Sequence, residues 1–508
     1  MEQTISNNKI IAKNTGFLYI RMLFIMIVSL YTSRVILQFL GIEDYGIYQV
    51  VGGVIGMLSF LNGALSTGSS RFLTYELGTG DLEKLKRTFS TTLTIHIALA
   101  IFIFILAETV GLWFVLNKLS VPADRLDAAV WVYHISVLTA IVTITQVPYN
   151  ASIISHERMN IFAYVSIVEV LAKLGVVYLL GIGNFDKLKL YAILIFIVQL
   201  GLALFYRFYC IKKFKETRYK FVLDKNILKS IGSFSGWSLF ANLSIALTTQ
   251  GTTIITNMFF GPAVVTSRAI SIQVDMAAKQ FVQNFRTAVN PQIVKRYAAE
   301  DYEGSKSLLL SSTKFSFYLM LLLGLPIILL AEQVLQLWLG QVPEYSVIFL
   351  QLIIIQSLFA VFDTSFYTAL YAKGRLRENA LISPLMGFIQ FPVVYILFKM
   401  GYSPVVLSYA GIITYALLGI IIKPMLVYKI ANYTLKDILS VFIPCLKVVL
   451  FAVPLPVICK YYLDDSPLSY IIVIFVSLFF VLISIWIFGI NKDVRKKILF
   501  NVKKRIKK

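Results

Sequence analysis

The stretch from Leu468 to Gly489, LSYIIVIFVSLFFVLISIWIFG, is almost entirely apolar and carries no charged residue. About 20 such residues form a helix that crosses a hydrocarbon core roughly 30 Å thick. Similar runs recur along the 508-residue chain, which is 58% hydrophobic and 14% charged, whereas soluble domains keep about 25% charged residues. No alternating strand pattern is present, and a bilayer requires backbone groups to be satisfied internally. The sequence therefore predicts an all-α integral membrane protein.

About fourteen transmembrane helices are predicted from the apolar runs between turn signals. They lie near residues 14–40, 46–76, 88–117, 128–153, 160–182, 189–211, 230–260, 263–296, 307–338, 346–372, 379–399, 404–428, 438–460 and 468–489. The net charge is +21, and the Lys and Arg residues fall in alternate loops. By the positive-inside rule these basic loops are cytoplasmic, so both termini are expected in the cytoplasm. Because topology accounts for the basic charge, we predict no nucleic-acid partner.

The two halves of the chain resemble each other at an offset of 220 residues, at which Gly41 corresponds to Gly261 and Asp81 to Asp301. Such a repeat predicts two parallel six-helix bundles, with a substrate path at their interface and two extra helices after them. The predicted divisions are an N-terminal six-helix lobe (1–213), a basic cytoplasmic linker (214–229), a C-terminal six-helix lobe (230–430), two extra transmembrane helices (431–490) and a basic cytoplasmic tail (491–508).

The predicted span 263–296 is unusually polar, and its polar residues form one stripe at helical spacing. The stripe consists of Arg268, Asp275, Lys279, Arg286 and Asn290. Asp275 and Lys279 have the spacing and order of an intrahelical ion pair, which leaves Arg268 and Arg286 as surplus positive charge. Such a stripe either lines a cationic cavity that binds phosphate oxygens, or belongs to an interhelix network that includes Asp363.

Further candidates come from the other polar positions within the spans. Arg34, inside the first span, joins Arg268, Lys279 and Arg286 as a candidate substrate-binding cation, with Asp275 and Asp363 as counter-charges or ion-coupling acids. The candidate polar lining of the cavity consists of Asn62, Ser66, Asn242, Thr249 and Asn290. Such side chains either contact sugar hydroxyls or form hydrogen bonds between helices.

The sequence offers no residues for a metal or a nucleotide cofactor. Cys210, Cys445 and Cys459 lie in or beside apolar segments without the spacing of a metal site, and the three histidines form no cluster. No nucleotide-binding P-loop motif is present, so ATP is not expected to act within this chain. We expect no cofactor and no enzymatic activity.

The segment Leu40–Tyr48, LGIEDYGIY, resembles the family of polysaccharide flippases, the O-antigen and capsule transporters of the multidrug/oligosaccharidyl-lipid/polysaccharide (MOP) exporter superfamily. The resemblance extends through Ser69–Phe72 and Gly80–Asp81. It implies transport of an undecaprenyl-pyrophosphate-linked oligosaccharide from the cytoplasmic to the periplasmic leaflet of the bacterial inner membrane. It further implies alternating access driven by an H⁺ or Na⁺ gradient, for lipopolysaccharide or capsule synthesis. The implied partners are the lipid-linked substrate, membrane lipids and other polysaccharide-assembly proteins.

Two alternatives remain at the level of sequence. A cation-coupled multidrug exporter of the same superfamily would use a cavity carboxylate, for which Asp275 or Asp363 is available. A membrane enzyme of polysaccharide assembly would usually present a large periplasmic loop with catalytic residues, and the loops predicted on that side are all short.

Overall fold

The fold, taken from a computed structural model that describes residues 2–222, 224–490 and 495, is built from helices, and these residues contain no strand. The all-α membrane class is thereby confirmed. Eleven helices in this part of the chain are long and apolar enough to cross a membrane. The predicted spans 46–76, 230–260 and 263–296 are helical but are not separate members of the eleven. Apart from Arg495, the predicted basic tail 491–508 lies outside the described residues.

Backbone contacts divide the chain into two compact units. The first unit comprises Met1–Thr266 with Gly387–Phe391, and the second comprises Ser267–Met386 with Pro392–Lys508. The helices up to the boundary are α1 (Glu2–Thr79), α2 (Leu82–Leu106), α3 (Leu112–Lys118), α4 (Leu126–Ser155), α5 (Met159–Leu179), α6 (Lys187–Lys213), α7 (Lys225–Ala246) and α8 (Thr252–Phe260), and α9 (Pro262–Ala298) crosses it. Single π-helical turns join α2 to α3 (Ala107–Gly111) and α7 to α8 (Leu247–Gly251).

The remaining helices belong to the second unit, except that α13 lends five residues to the first. They are α10 (Tyr302–Leu329), α11 (Ala331–Leu339), α12 (Ser346–Ala372), α13 (Leu376–Lys399), α14 (Val406–Ala416), α15 (Lys423–Ile430), α16 (Leu435–Ala452), α17 (Pro454–Tyr462) and α18 (Pro467–Ser484). A π-helical turn at Leu417–Ile422 joins α14 to α15, and another at Ile485–Gly489 follows α18.

The sequence repeat is visible in the local backbone. Within α1, Gly41 has φ 78° and ψ 176°, which breaks the helix into the two spans predicted at 14–40 and 46–76. Gly261, 220 residues later, has φ 78° and ψ −179° between α8 and α9. Both values lie in a region that only glycine adopts without strain. Asp81 and Asp301 cap α2 and α10 by accepting backbone N–H groups at 3.0 Å and 2.9 Å.

Helix α7, which follows the predicted linker 214–229, belongs to the first compact unit and packs on α1. A Cβ atom on Gly63 would lie 2.7 Å from the Oδ1 atom of Asn242, and one on Gly53 would lie 3.1 Å from the Oε1 atom of Gln250. Small residues thus allow the two helices to approach closely. The equal six-helix lobes predicted from the repeat remain a prediction, since contacts describe packing and not symmetry.

Candidate functional site

Helix α9 carries the predicted polar stripe, and its centre contains the expected ion pair. Lys279 Nζ lies 2.6 Å from the Oδ2 atom of Asp275, whose side chain is only 2% exposed. The hydroxyl of Ser357 on α12 donates a second hydrogen bond to the same carboxylate. The sequence predicts this pair because i,i+4 neighbours share a helix face. The charge of Asp275 is therefore largely compensated within the second unit.

Arg286, two turns further along α9, is held by neutral groups of α12. Its guanidinium donates to the Ser365 hydroxyl, to the Thr364 carbonyl at 2.6 Å and to the Thr368 hydroxyl at 2.9 Å. The residue is only 5% exposed. These contacts belong to an interhelix network of the kind that the sequence left open as an alternative. They fix the position of the guanidinium without neutralising its charge.

Asp363 on α12 pairs with Lys423, a residue that the sequence analysis did not select. The two groups lie 3.4 Å apart, and the Lys423 side chain is 1% exposed. The π-helical turn before Lys423 brings Gly419 so close to α12 that a Cβ atom there would lie 2.6 Å from the Phe359 carbonyl oxygen. The sequence feature that could have indicated this pair is a lysine inside the apolar run 404–428. Its partner stands 60 positions earlier in the chain, beyond any local pattern.

The charged residues of α9 from Arg268 to Arg286, together with the pair of Asp363 and Lys423, define a cluster with an excess of positive charge. Its members are Arg268, Asp275, Lys279, Arg286, Asp363 and Lys423. Each acid pairs with one lysine, so the two arginines have no acid of their own. The Nη1 atom of Arg268 is buried and has no hydrogen-bond partner in the described part of the chain. Burying such a group without a partner is costly, which marks it as a candidate ligand contact.

The other predicted cavity residues are distributed differently. Arg34 lies on the first half of α1, half-buried and in the first unit, whereas the arginines of α9 belong to the second. Asn242 packs against Gly63, and the Thr249 hydroxyl donates to the Ile245 carbonyl at 2.7 Å. Asn242 therefore contributes to helix packing, whereas the exposed Thr249 is bonded within its own helical segment. The half-buried residues Ser66 and Asn290 lie on α1 and α9.

Asn62 lines a cavity of about 270 Å³ in the first unit, between the second half of α1 and helices α2, α4 and α6. Its Oδ1 atom is buried and accepts no hydrogen bond from the described residues. No charged residue belongs to the described wall of this cavity. The described wall of this cavity is thus uncharged and mainly apolar, whereas the cluster of the second unit is charged.

The segment Leu40–Tyr48 has a structural role that its pattern did not predict. Arg125, at the start of α4, donates two hydrogen bonds to Asp44 (2.6 and 2.8 Å) and others to Asp186 at the start of α6. Burial alone would raise the pKa of Asp186, but the hydrogen bonds from Arg125 and from backbone N–H groups hold it below the usual value. A Cβ atom on Gly46 would lie 2.0 Å from the Pro262 carbonyl oxygen. The segment therefore joins several helix ends of the first unit.

A further buried cation, Lys314, was not predicted from the sequence. Lys314 on α10 is 8% exposed and forms no ion pair with the described residues. Lys314 lies in the predicted span 307–338. A lone lysine without an acid or another charged residue at helical spacing does not predict a site. Its charge adds to the positive excess of the second unit.

Comparison with known proteins places the fold among transporters. No family model matches the chain, and no curated protein matches it either. A multidrug resistance MATE family transporter of the MOP superfamily in an inward-facing conformation aligns with a TM-score of 0.67 and 15% identity over 80% of this chain and 96% of that chain. An outward-facing one gives a TM-score of 0.58 and 16% identity over 82% and 95%. The fold is that of the MOP transporters.

Among these structures the lipid II flippase MurJ in an inward closed conformation matches the greatest length of this chain. It aligns with a TM-score of 0.69 and 14% identity, over 92% of this chain and 98% of that chain. At such identities the likeness concerns the fold alone.

Proposed function

We propose that this chain is a flippase that moves an undecaprenyl-pyrophosphate-linked oligosaccharide from the cytoplasmic to the periplasmic leaflet of the bacterial inner membrane. It would act by alternating access and supply O-antigen or capsule synthesis, with both termini in the cytoplasm. Its partners would be the lipid-linked substrate, membrane lipids and other polysaccharide-assembly proteins. The polysaccharide class rests on the resemblance carried by Leu40–Tyr48.

The observation that carries the proposal is the charge of the cluster on α9. Asp275 and Asp363 are each compensated by a lysine, and Arg268 and Arg286 keep their charge. Guanidinium groups bind phosphate oxygens in a bidentate geometry, and in a low-dielectric surrounding the attraction is strong. A pyrophosphate is therefore the kind of group that this cluster favours, with Arg268 as the proposed contact and Arg286 as a further fixed charge on the same helix.

The multidrug exporters share the fold, and their likeness favours a second candidate function, cation-coupled drug export. A site for cationic drugs requires an uncompensated carboxylate, whereas each acid of this cluster has a lysine within 3.4 Å. The flippase also covers more of this chain than the exporters do, 92% against 80–82%. Both points support the lipid-linked substrate over a drug.

An H⁺ or Na⁺ gradient is proposed to drive the cycle, without a cofactor. Asp275 and Asp363 would act mainly as counter-charges in this conformation, because each lies in contact with a lysine. Coupling would then require one of these pairs to open during transport. Arg34 in the first unit would provide a further positive charge along the path of the substrate.

The test is complementation of a host strain that lacks this gene. Arg268→Gln should lower surface polysaccharide at least about tenfold, because a hydrogen bond between charged groups contributes about 1.5–3 kcal/mol. Arg268→Lys should retain part of the activity, and Lys399→Gln, at the exposed end of α13, should behave as the wild type. Lipid-linked precursor should accumulate on the cytoplasmic leaflet in the Arg268→Gln strain. Normal export at normal protein level would contradict the proposal.

A further inference from the structure

The cavity in the first unit differs from the charged cluster in that its described wall is uncharged. Its volume of about 270 Å³ is close to the lower end of small-molecule pockets, about 300 Å³. The polar members of the wall are Tyr48, Asn62, Ser136, Thr139 and Thr143, and isoleucines and small residues form most of the rest. A site of this size holds a small polar group rather than an entire oligosaccharide or a lipid tail.

Three polar groups of the wall present hydrogen-bond acceptors. The Thr139 hydroxyl donates to the Ile135 carbonyl at 2.8 Å, and the Thr143 hydroxyl donates to the Thr139 carbonyl at 2.9 Å. Each hydroxyl hydrogen is thereby used within α4, which leaves its oxygen as an acceptor. The buried Oδ1 atom of Asn62 is another acceptor, with no partner in the described chain. The cavity therefore suits a ligand that brings O–H or N–H donors.

The absence of a carboxylate from the described wall determines which donors fit. A buried cation would need an anionic partner, because burying an unpaired charge is costly. Neutral O–H and N–H groups need only the acceptors that are present. The hydroxyls of a sugar, or the amide N–H of an N-acetylated sugar, meet this requirement.

Gly52 makes space in the cavity. A Cβ atom at this position would meet no atom within 4 Å, although the residue lies inside a helix. Glycine in a helix is less stable than alanine, and here no packing contact requires it. A side chain at position 52 would instead extend into the space that Asn62 and the threonines line.

We propose that this cavity is a subsite for an uncharged sugar residue of the lipid-linked substrate. Asn62 is its specificity-determining residue and accepts a hydrogen bond from a sugar hydroxyl or an N-acetyl N–H group. This inference rests on the proposed function. It assigns the recognition of the neutral sugar to the cavity of the first unit.

The experiment measures binding of two defined lipids to the full-length protein in lipid nanodiscs. One lipid is undecaprenyl pyrophosphate, and the other carries a single N-acetylglucosamine on the same pyrophosphate. The wild type should bind the sugar-bearing lipid about tenfold more tightly, a factor that corresponds to about 1.4 kcal/mol. Asn62→Ala, which removes the acceptor, and Gly52→Leu, which fills the cavity, should reduce this ratio to about twofold or less.

The sugar-free lipid is the internal control for folding, because both variants should bind it with the wild-type Kd. Gly175→Leu is the matched control, since Gly175 is exposed on α5, where a Cβ atom also meets nothing within 4 Å. It should keep the tenfold ratio. Equal Kd values for the two lipids in the wild type, or an unchanged ratio in both variants, would overturn the subsite alone. Wild-type protein that binds neither lipid would contradict the proposed function, and the subsite would fall with it.

Discussion

Replacement of Lys423 by methionine tests the ion pair that the sequence did not reveal. The substitution keeps an unbranched side chain but leaves the carboxylate of Asp363, 16% exposed, without its lysine. At 3.4 Å and an effective dielectric constant of about 20, the attraction is about 5 kcal/mol, and desolvation offsets part of it. Removing one partner of a buried pair usually costs about 3–5 kcal/mol. Because Arg286 also acts on Asp363, we expect about 3 kcal/mol.

The assay is SDS-induced unfolding of the purified protein in mixed micelles, which gives the free energy of unfolding. Lys447→Met is the matched control, because Lys447 is exposed on α16 and forms no ion pair with the described residues. The double variant Asp363→Asn/Lys423→Met removes both charges and should recover at least about half of the loss. A Lys423→Met variant within about 1 kcal/mol of the wild type would show that the pair does not stabilise the second unit.

Two other predictions concern the first unit and use the same unfolding assay. Gly46→Ala should lower the free energy of unfolding by at least about 2 kcal/mol, because the added Cβ atom would lie 2.0 Å from the Pro262 carbonyl oxygen. Gly78→Ala on the same helix is the control. Its Cβ atom would meet nothing within 4 Å, so the variant should be neutral or slightly stabilising. The lowered pKa of Asp186 means that its carboxylate contributes stability above its unfolded pKa of about 4, and that this contribution is lost as the pH falls through the folded value. The contribution of Asp186 to the free energy of unfolding should therefore fall between about pH 5 and pH 3. The fall should be smaller in Arg125→Gln, and equal slopes in the wild type and the variant would contradict the role of Arg125.

The uncharged cavity of the first unit and the charged cluster of the second offer two kinds of contact for the proposed transport. The second unit holds fixed positive charge, and the first holds neutral acceptors around Asn62. A substrate that combines an anionic pyrophosphate with uncharged sugars would have a matching group for each. Variants of the two sites should therefore separate in binding experiments, with Arg268 affecting all pyrophosphate lipids and Asn62 only those that carry a sugar.

The sequence predicted the features that depend on local periodicity. Apolar runs predicted the helices, and i,i+4 spacing predicted the contact between Asp275 and Lys279, which lies at 2.6 Å. Local periodicity does not predict contacts between segments that are distant in the sequence. The neutral groups that hold Arg286 stand about 80 residues further along the chain, and serine and threonine occur in every span. Their selection requires the packing of α9 on α12, which no single-sequence pattern encodes.

The segment Leu40–Tyr48 shows that a sequence motif can be required by the fold rather than by the substrate. It carried the resemblance to polysaccharide flippases, yet Gly41 provides a kink, Asp44 binds Arg125, and Gly46 allows a close approach. These are requirements of the fold, and they do not select a substrate. A pattern of this kind therefore predicts the fold better than it predicts the substrate. Evidence for the substrate comes from the charged cluster on α9 and from the cavity around Asn62.

The polarity of α9 has a consequence for the biogenesis of the protein. A charged residue at the centre of a membrane helix costs about 2.5–3.5 kcal/mol on insertion scales, and α9 is not among the eleven sufficiently apolar helices. The groups that satisfy it, such as Ser357, Ser365 and Thr368, are on α12 and leave the ribosome later. Helix α9 therefore cannot remain in lipid alone, and its integration has to wait until α12 has been synthesised.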